Sequence, residues 1–195
     1  MKSLGLLFLI GIYVACHPGL IEASTPVDEN QVKNVEKMPV NTEQQRQALE
    51  NAAVMLANYE IEAKKLVDLL DLPKTENADI SQLAWKLINI SESFIESTRF
   101  RLPQCDEYLL KSVAVKDMLE NISHENLEKN YHHDGALPKA PFECYHTKDL
   151  LVHPATVIVL TRDDPELAEN TLSSIRAEIT EVLAHTEIVR QLVIY

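Results

Sequence analysis

Histidines are concentrated in one stretch of the sequence, residues 130–154, which reads NYHHDGALPKAPFECYHTKDLLVHP and holds four of the seven in the chain. Imidazole nitrogens bind first-row transition ions, and Zn²⁺, Cu²⁺ and Ni²⁺ all accept an imidazole pair that is completed by a carboxylate. This composition indicates a candidate metal site. The residues that would supply its ligands are His132, His133, His146 and His153.

A helix over residues 143–153 would bring part of this set together, because residues three or four positions apart share a helix face. Residues 132 and 133, with the aspartate that follows them, would complete the shell from the preceding loop. A di-iron carboxylate site would need a second E-x-x-H repeat, and the sequence lacks one. The residues on the shared face would be Glu143, His146, Asp149 or Leu150, and His153.

The histidines also have structural explanations in which they bind no ion. His132 and His133 precede Asp-Gly, a turn signal whose neighbours are usually solvated, and His146 would pack over a nearby disulfide. His153 precedes a proline, which disfavours helical backbone at that position and suits a hinge or a helix end. His185 flanks an apolar helical stripe, where a hydrogen-bonded histidine at the rim is more common than a ligand.

Amphipathic helices must position these side chains, because apolar residues recur at steps of three and four along most of the chain. The first stripe follows a capping box at Thr42 and Gln45, and Pro73 ends its helix. A second stripe follows Asp79, which we expect to cap that helix, and Pro103 marks its limit. The sequence therefore predicts two successive helices in its first half.

Further helices are predicted on both sides of the histidine-rich stretch. One covers residues 104–121, and the last begins at Asp163 or Asp164, with Pro165 in its first turn, and continues to the chain end. The segment LLVHPATVIVL, residues 150–160, is rich in β-branched residues, but no other segment could pair with it as a strand. It is predicted as a helix that its proline starts or kinks.

These elements predict an all-α fold, an antiparallel bundle of four to five helices, because each apolar stripe must be buried against another. The first and last helices are long and capped, and one irregular crossover segment carries the histidines and prolines. Residues 42–195 would form this single domain. Cys105 and Cys144 lie near the starts of two of its helices and are predicted to form a disulfide.

The beginning of the chain is typical of a targeting segment, with Lys2 before an apolar run over residues 4–15. Residues 1–23 would be a signal peptide. Alternatively, residues 1–15 would be a lipoprotein signal and Cys16 would carry the lipid, which would tether the protein to a membrane. Residues 24–41 lack apolar periodicity and are predicted to be a flexible leader.

Composition excludes several functions. A net charge of −12 and a pI near 5.0, without a cluster of basic residues, argue against a nucleic-acid partner. Beyond the leader the only glycine is Gly135, so a dinucleotide fingerprint, a P-loop and a G-x-S-x-G elbow are all ruled out. No catalytic motif is recognisable, and the sequence favours a binding protein over an enzyme.

Two functions follow as hypotheses. The first is an exported, non-enzymatic interaction module that binds another envelope or secreted protein; Trp85, Ile88 and Ile95 lie off the stripe of the second helix and would form a second apolar face. The second is a transition-metal-binding protein that uses the histidines of residues 132–153. A periplasmic protein or outer-envelope lipoprotein is the expected location. Two glycosylation sequons, at Asn89 and Asn121, leave a secreted eukaryotic protein as the alternative.

Overall fold

The computed structural model describes residues 35–195. The predicted signal segment, the predicted lipidation site at Cys16 and the first part of the predicted leader lie outside the described residues. Residues 35–41 precede the first helix without regular secondary structure. They contact the folded body through the backbone amide of Met38, which donates a hydrogen bond to the carbonyl of Arg101 at 3.0 Å.

All regular secondary structure in this part of the chain is helical, which confirms the predicted all-α class. Six α-helices of residues 35–195 pack against one another, so the predicted count of four to five is not confirmed. Two π-helical turns, Glu128–His132 and Arg190–Ile194, and four short 3₁₀ segments join or extend them. The α-helices are α1 Glu43–Leu69, α2 Asn77–Thr98, α3 Asp106–Val113, α4 His124–Leu127, α5 Tyr145–Asp163 and α6 Glu169–Val189.

The four longer helices form a closed arrangement. Helix α1 packs against α2, α2 against α5, α5 against α6, and α6 against α1, while α3 and α4 pack on α5. Residues 147–159 of α5 are all buried, so this helix is the centre of the domain. No helix in the described range is long and apolar enough to cross a bilayer.

The predicted helix starts are partly wrong. The capping box of α1 is present, with Thr42 Oγ1 accepting a bond from the amide of Gln45, as expected. Asp79, however, lies inside the first turn of α2, which begins at Asn77. The reason is a tertiary contact, since the amide side chain of Asn77 donates to the carbonyl of Thr161 at 2.8 Å and fixes the helix start there.

Two other predicted boundaries also differ. The helix expected over residues 104–121 is α-helical only over α3 and continues as a 3₁₀ segment, Ala114–Met118. The last helix begins at Glu169, several residues after the predicted aspartates. Asp164 does not cap it directly; its Oδ2 accepts bonds from the amide of Ala168 at 2.8 Å and from Thr171 Oγ1 at 2.6 Å, which closes the turn before the helix.

A proline inside the central helix leaves one backbone carbonyl without its helical N–H donor, and two side-chain hydroxyls bond to that carbonyl. Pro154 has no N–H, so the carbonyl of Leu150, four residues earlier, lacks its helical donor. The hydroxyl of Tyr59 on α1 donates to that carbonyl at 2.8 Å. Ser91 on α2 approaches the same oxygen to 2.6 Å and shares its proton with the carbonyl of Leu87 at 2.8 Å. Three helices are therefore joined at one buried oxygen.

Tyr59→Phe is expected to lower the free energy of unfolding by about 0.5–1.5 kcal/mol, because it removes one of the two hydroxyl donors to a buried carbonyl. Tyr145→Phe is the matched control, since the Tyr145 hydroxyl also donates to a carbonyl, that of Ala140 at 3.0 Å, but at an exposed position. Urea unfolding followed by circular dichroism measures both variants. Equal losses of stability in the two variants would contradict this account of Pro154.

The predicted disulfide is present. Cys105 and Cys144 are both fully buried, with their sulfur atoms 2.09 Å apart and their Cα atoms 5.4 Å apart. The bond joins the 3₁₀ segment before α3 to the 3₁₀ segment before α5. The loop that it closes contains α3, α4 and the π-helical turn that ends at His132.

Candidate metal centre

Histidine and carboxylate side chains from three segments meet between α5, α6 and the π-helical turn. Successive imidazole rings are in contact: the ring centroids of His132 and His153 are 4.9 Å apart, those of His153 and His185 are 5.6 Å apart, and those of His185 and His146 are 4.6 Å apart. We call the whole set the histidine cluster. Its members are Glu128, His132, His146, Asp149, His153, Glu178, Glu181 and His185.

The first group of possible ligands in this cluster comprises His132, His153 and Glu181. One ligand atom from each residue can be chosen so that all three lie within 4.8 Å of one another. His132 comes from the π-helical turn, His153 from α5 and Glu181 from α6. Two imidazoles and one carboxylate at this spacing form a ligand set that transition ions accept, with coordination positions left for water or another small ligand.

A glutamate orients each imidazole of the first group. His153 Nδ1 lies 2.7 Å from Glu178 Oε2, and His132 Nδ1 lies 2.8 Å from Glu128 Oε2. When Nδ1–H donates to the carboxylate, Nε2 of the neutral ring keeps its lone pair. His153 is fully buried, and its Nε2 has no hydrogen-bond partner. Metal-bound histidine usually donates its other ring N–H to a carboxylate or carbonyl in this way.

The His132–Glu128 pair is electrostatically coupled. The hydrogen bond that the His132 ring donates to Glu128 raises the pKa of His132 above its ordinary value, although burial acts in the opposite direction. Burial raises the pKa of Glu128, but the bond to His132 and its charge lower that pKa more, and the net result lies below the ordinary value. The raised pKa of His132 and the lowered pKa of Glu128 both favour the ion pair of imidazolium and carboxylate, so an ion that binds at Nε2 would displace a proton from that ring.

The second group comprises His146, Asp149 and His185, again with one ligand atom each within 4.8 Å of the others. Asp149 Oδ2 lies 3.2 Å from His185 Nδ1, but the angle is not that of a hydrogen bond. His146 Nδ1, His185 Nδ1 and Asp149 Oδ1 are all buried without a hydrogen-bond partner. Buried polar atoms are rarely left in this state.

Ionisation at the second group favours cation binding. Burial and the neighbouring His185 lower the pKa of His146 to about 4, so its ring is neutral at pH 7 and has a free lone pair. Burial by itself raises the pKa of Asp149, but the neighbouring His185, Lys148 and His153 lower it by more. The resulting pKa lies well below the ordinary value. The group therefore presents an ionised carboxylate beside a neutral imidazole.

A buried ammonium links the cluster to the crossover segment. The side chain of Lys148 is only 3% exposed, and its Nζ donates to the carbonyl of His132 at 2.8 Å and to Asp134 Oδ1 at 3.1 Å. Asp134 also accepts a bond from the Tyr108 hydroxyl at 2.6 Å. Lys148 Nζ lies 3.1 Å from Asp149 Oδ1 as well, as a charge contact without hydrogen-bond geometry. These contacts hold the π-helical turn against α5.

Three of the four histidines proposed from sequence lie in the cluster, namely His132, His146 and His153. His133 stacks on His132 with ring centroids 5.2 Å apart, but it is exposed and belongs to neither ligand group. Glu143, expected on the same helix face, precedes α5 and instead accepts a bond from the side chain of Gln104 at 3.2 Å.

Sequence reasoning missed the contribution of α6. His185, expected to be a rim residue, is buried and belongs to the second group, and the last helix also supplies Glu178 and Glu181. These three residues are spaced by three and four positions beside the buried apolar stripe of α6. Polar residues that repeat at helical spacing next to an apolar stripe indicate a polar face on the same helix, and this pattern was visible in the sequence. The four-residue spacing of Glu128 and His132 was another.

Comparisons with known proteins identify no relative. The chain matches no protein-family model, and neither a curated protein nor a solved structure is significantly similar to it. The chemistry of the histidine cluster is therefore the basis for a functional proposal.

Proposed function

We propose that this protein binds a first-row transition ion, Zn²⁺, Cu²⁺ or Ni²⁺, through His132, His153 and Glu181. The observation that carries the proposal is His153, which is fully buried, bonded through Nδ1 to Glu178, and without any partner for Nε2. An unpaired buried polar atom costs about 1–3 kcal/mol. Coordination of an ion at Nε2 removes this cost.

The glutamates that bond to Nδ1 of the two rings also support the proposal. A histidine with a purely structural role does not require a carboxylate at one particular ring nitrogen. Here both His132 and His153 have a glutamate oxygen within 2.8 Å of Nδ1, which fixes the orientation of each ring. This pairing raises the basicity of the free nitrogen and is typical of metal ligands.

The ligand types favour ions of intermediate softness. Both cysteines in the described range are in the disulfide, so the cluster offers nitrogen and oxygen donors without a thiolate. Imidazole suits Zn²⁺, Cu²⁺ and Ni²⁺, whereas Mg²⁺ and Ca²⁺ prefer oxygen ligands alone. A role in uptake, buffering or sensing of such an ion fits a binding protein without a recognisable catalytic motif.

We place this activity outside the cytoplasm. The disulfide is compatible with an oxidising compartment. An N-terminal signal segment over residues 1–23, or a lipid on Cys16, would deliver the chain to a periplasm or an outer envelope; a secreted eukaryotic protein is the alternative.

Metal titration of the purified, metal-free protein tests the proposal. We expect Zn²⁺, Cu²⁺ or Ni²⁺ to bind stoichiometrically by calorimetry, and to add about 2.7 kcal/mol of stability when free ion is at one hundred times the dissociation constant. His132→Ala, Glu181→Gln and His153→Ala should weaken binding at this site. His133→Ala is the matched control, because it removes the adjacent, exposed imidazole and should change neither affinity nor melting temperature.

Two outcomes would overturn the proposal. One is the absence of stoichiometric binding by all three ions. The other is an equal effect of His133→Ala and His132→Ala, which would indicate binding by exposed imidazoles in general. His132→Ala is the preferred variant, because its side chain is 22% exposed and its loss disturbs packing less than loss of the fully buried His153.

An interaction module that binds another envelope or secreted protein is the second candidate. The expected second apolar face is largely covered by the protein itself, because Ile88 and Ile95 are fully buried and only Trp85 is exposed. Val54 and Ile61, seven residues apart on one side of α1, are more than half exposed and favour this candidate. Failure of every metal titration would leave it as the leading function.

A further inference from the structure

The second ligand group lies directly beside the site proposed above, and that site does not use it. Helix α5 supplies His146 and Asp149 to the second group and His153 to the first. Helix α6 supplies His185 to the second group and Glu181 to the first. Each helix therefore contributes to both groups. The rings of His153 and His185 connect them, with centroids 5.6 Å apart.

Unpaired atoms distinguish this group from an ordinary buried polar network. A structural cluster of histidine and aspartate normally satisfies its own donors and acceptors. Here His146 Nδ1, His185 Nδ1 and Asp149 Oδ1 are buried without a hydrogen-bond partner, and one donor atom from each residue lies within 4.8 Å of the others. A cation at their centre would bind all three residues at once.

The charge around the cluster points to more than one cation. Five carboxylates are present, those of Glu128, Asp134, Asp149, Glu178 and Glu181, and Lys148 is the ammonium among them. The formal charge of these five carboxylates and one ammonium is four negative units. One divalent ion in the first group would leave half of this charge uncompensated, whereas two divalent ions would neutralise it.

We propose that His146, Asp149 and His185 bind a second transition ion, so that the histidine cluster holds a pair of ions. This inference rests on the proposed function, which concerns the first group alone. The second site has two imidazoles and one carboxylate, like the first, and therefore accepts the same class of ion. The short connection through His153 and His185 places the two ions close together.

Counting bound ions in each variant separates the second site from the first. Metal-free protein is loaded with Zn²⁺, freed of excess ion, and measured by native mass spectrometry and elemental analysis. We expect two ions per chain in the wild type and in the His133→Ala control. We expect one ion in His146→Ala and in Asp149→Asn, an isosteric change that keeps the packing, and one ion in His132→Ala.

Loading with Cu²⁺ adds a spectroscopic measure. The wild type should give the broadened electron paramagnetic resonance spectrum of two coupled Cu²⁺ ions, and His146→Ala should give the spectrum of one isolated Cu²⁺. Circular dichroism of each variant establishes that it is folded before ions are counted.

Three other results of the ion count would each overturn one or both of the proposed sites. One ion in the wild type, retained in His146→Ala and lost in His132→Ala, overturns the second site and leaves the first. One ion lost in both variants means a single ion shared by the whole cluster and also overturns the pair. No ion in the wild type overturns both proposals.

Discussion

Replacing Cys105 and Cys144 together by alanine is expected to lower the free energy of unfolding by about 4 kcal/mol, because the disulfide closes a loop between residues separated by 39 positions. Such a loop restricts the unfolded chain far more than the folded one. The same change should weaken ion binding at the first group, since the closed loop contains the π-helical turn with Glu128 and His132. A loss of this size is a large part of the stability of most single domains.

Urea unfolding of the oxidised wild type and the double alanine variant measures the first effect, and calorimetry with Zn²⁺ measures the second. Reductant should lower the stability of the wild type towards that of the variant, while the variant itself should not respond. A variant that keeps both the stability and the Zn²⁺ affinity of the wild type would contradict the prediction. Alanine is chosen because both cysteines are fully buried, where a serine hydroxyl would add an unpaired polar group.

Lys148→Met is expected to destabilise the metal-free protein by about 3–5 kcal/mol, because it leaves Asp134 and Asp149 without their buried ammonium. Methionine keeps most of the length and the apolar stem of lysine, so the change mainly removes charge. Saturating Zn²⁺ should recover part of the loss, since an ion bound at the second group brings positive charge to Asp149.

Lys111→Met is the matched control for this variant. Lys111 pairs with Glu107 one helical turn away at 2.9 Å, but both side chains are more than half exposed, and such pairs contribute about 0.5 kcal/mol or less. Urea unfolding of the two variants, with and without Zn²⁺, gives the comparison. Equal destabilisation by the two substitutions would show that Lys148 does not hold the cluster together.

Local signals predicted the framework of the fold well. The capping box at Thr42 and the helix across Pro154 both depend on near neighbours in the sequence, and both are confirmed. The predicted starts of α2 and α6 were wrong because hydrogen bonds that capping patterns do not describe fix them. Asn77 bonds Thr161 across the domain, and Asp164 bonds Thr171 across a turn, so neither boundary follows the nearest capping residue.

The candidate site was predictable on α5 and at His132, and not on α6. The spacing of His146, Asp149 and His153 places them together on one helix, and the structure keeps them near one another. His185 has the local pattern of a rim histidine; its spacing with Glu178 and Glu181 indicates a polar face of α6 but does not show that this face packs on α5. His133 was included because sequence alone does not tell which of two adjacent histidines turns inwards.

The order of the cluster residues along the chain has a consequence for how the protein matures. All members of the histidine cluster belong to residues 128–185, and Glu178, Glu181 and His185 are supplied by the last α-helix. A nascent polypeptide that still lacks this helix has neither Glu181 of the first group nor His185 of the second. Under the proposed function, metal loading would therefore follow synthesis of the last α-helix, in whichever compartment the chain folds.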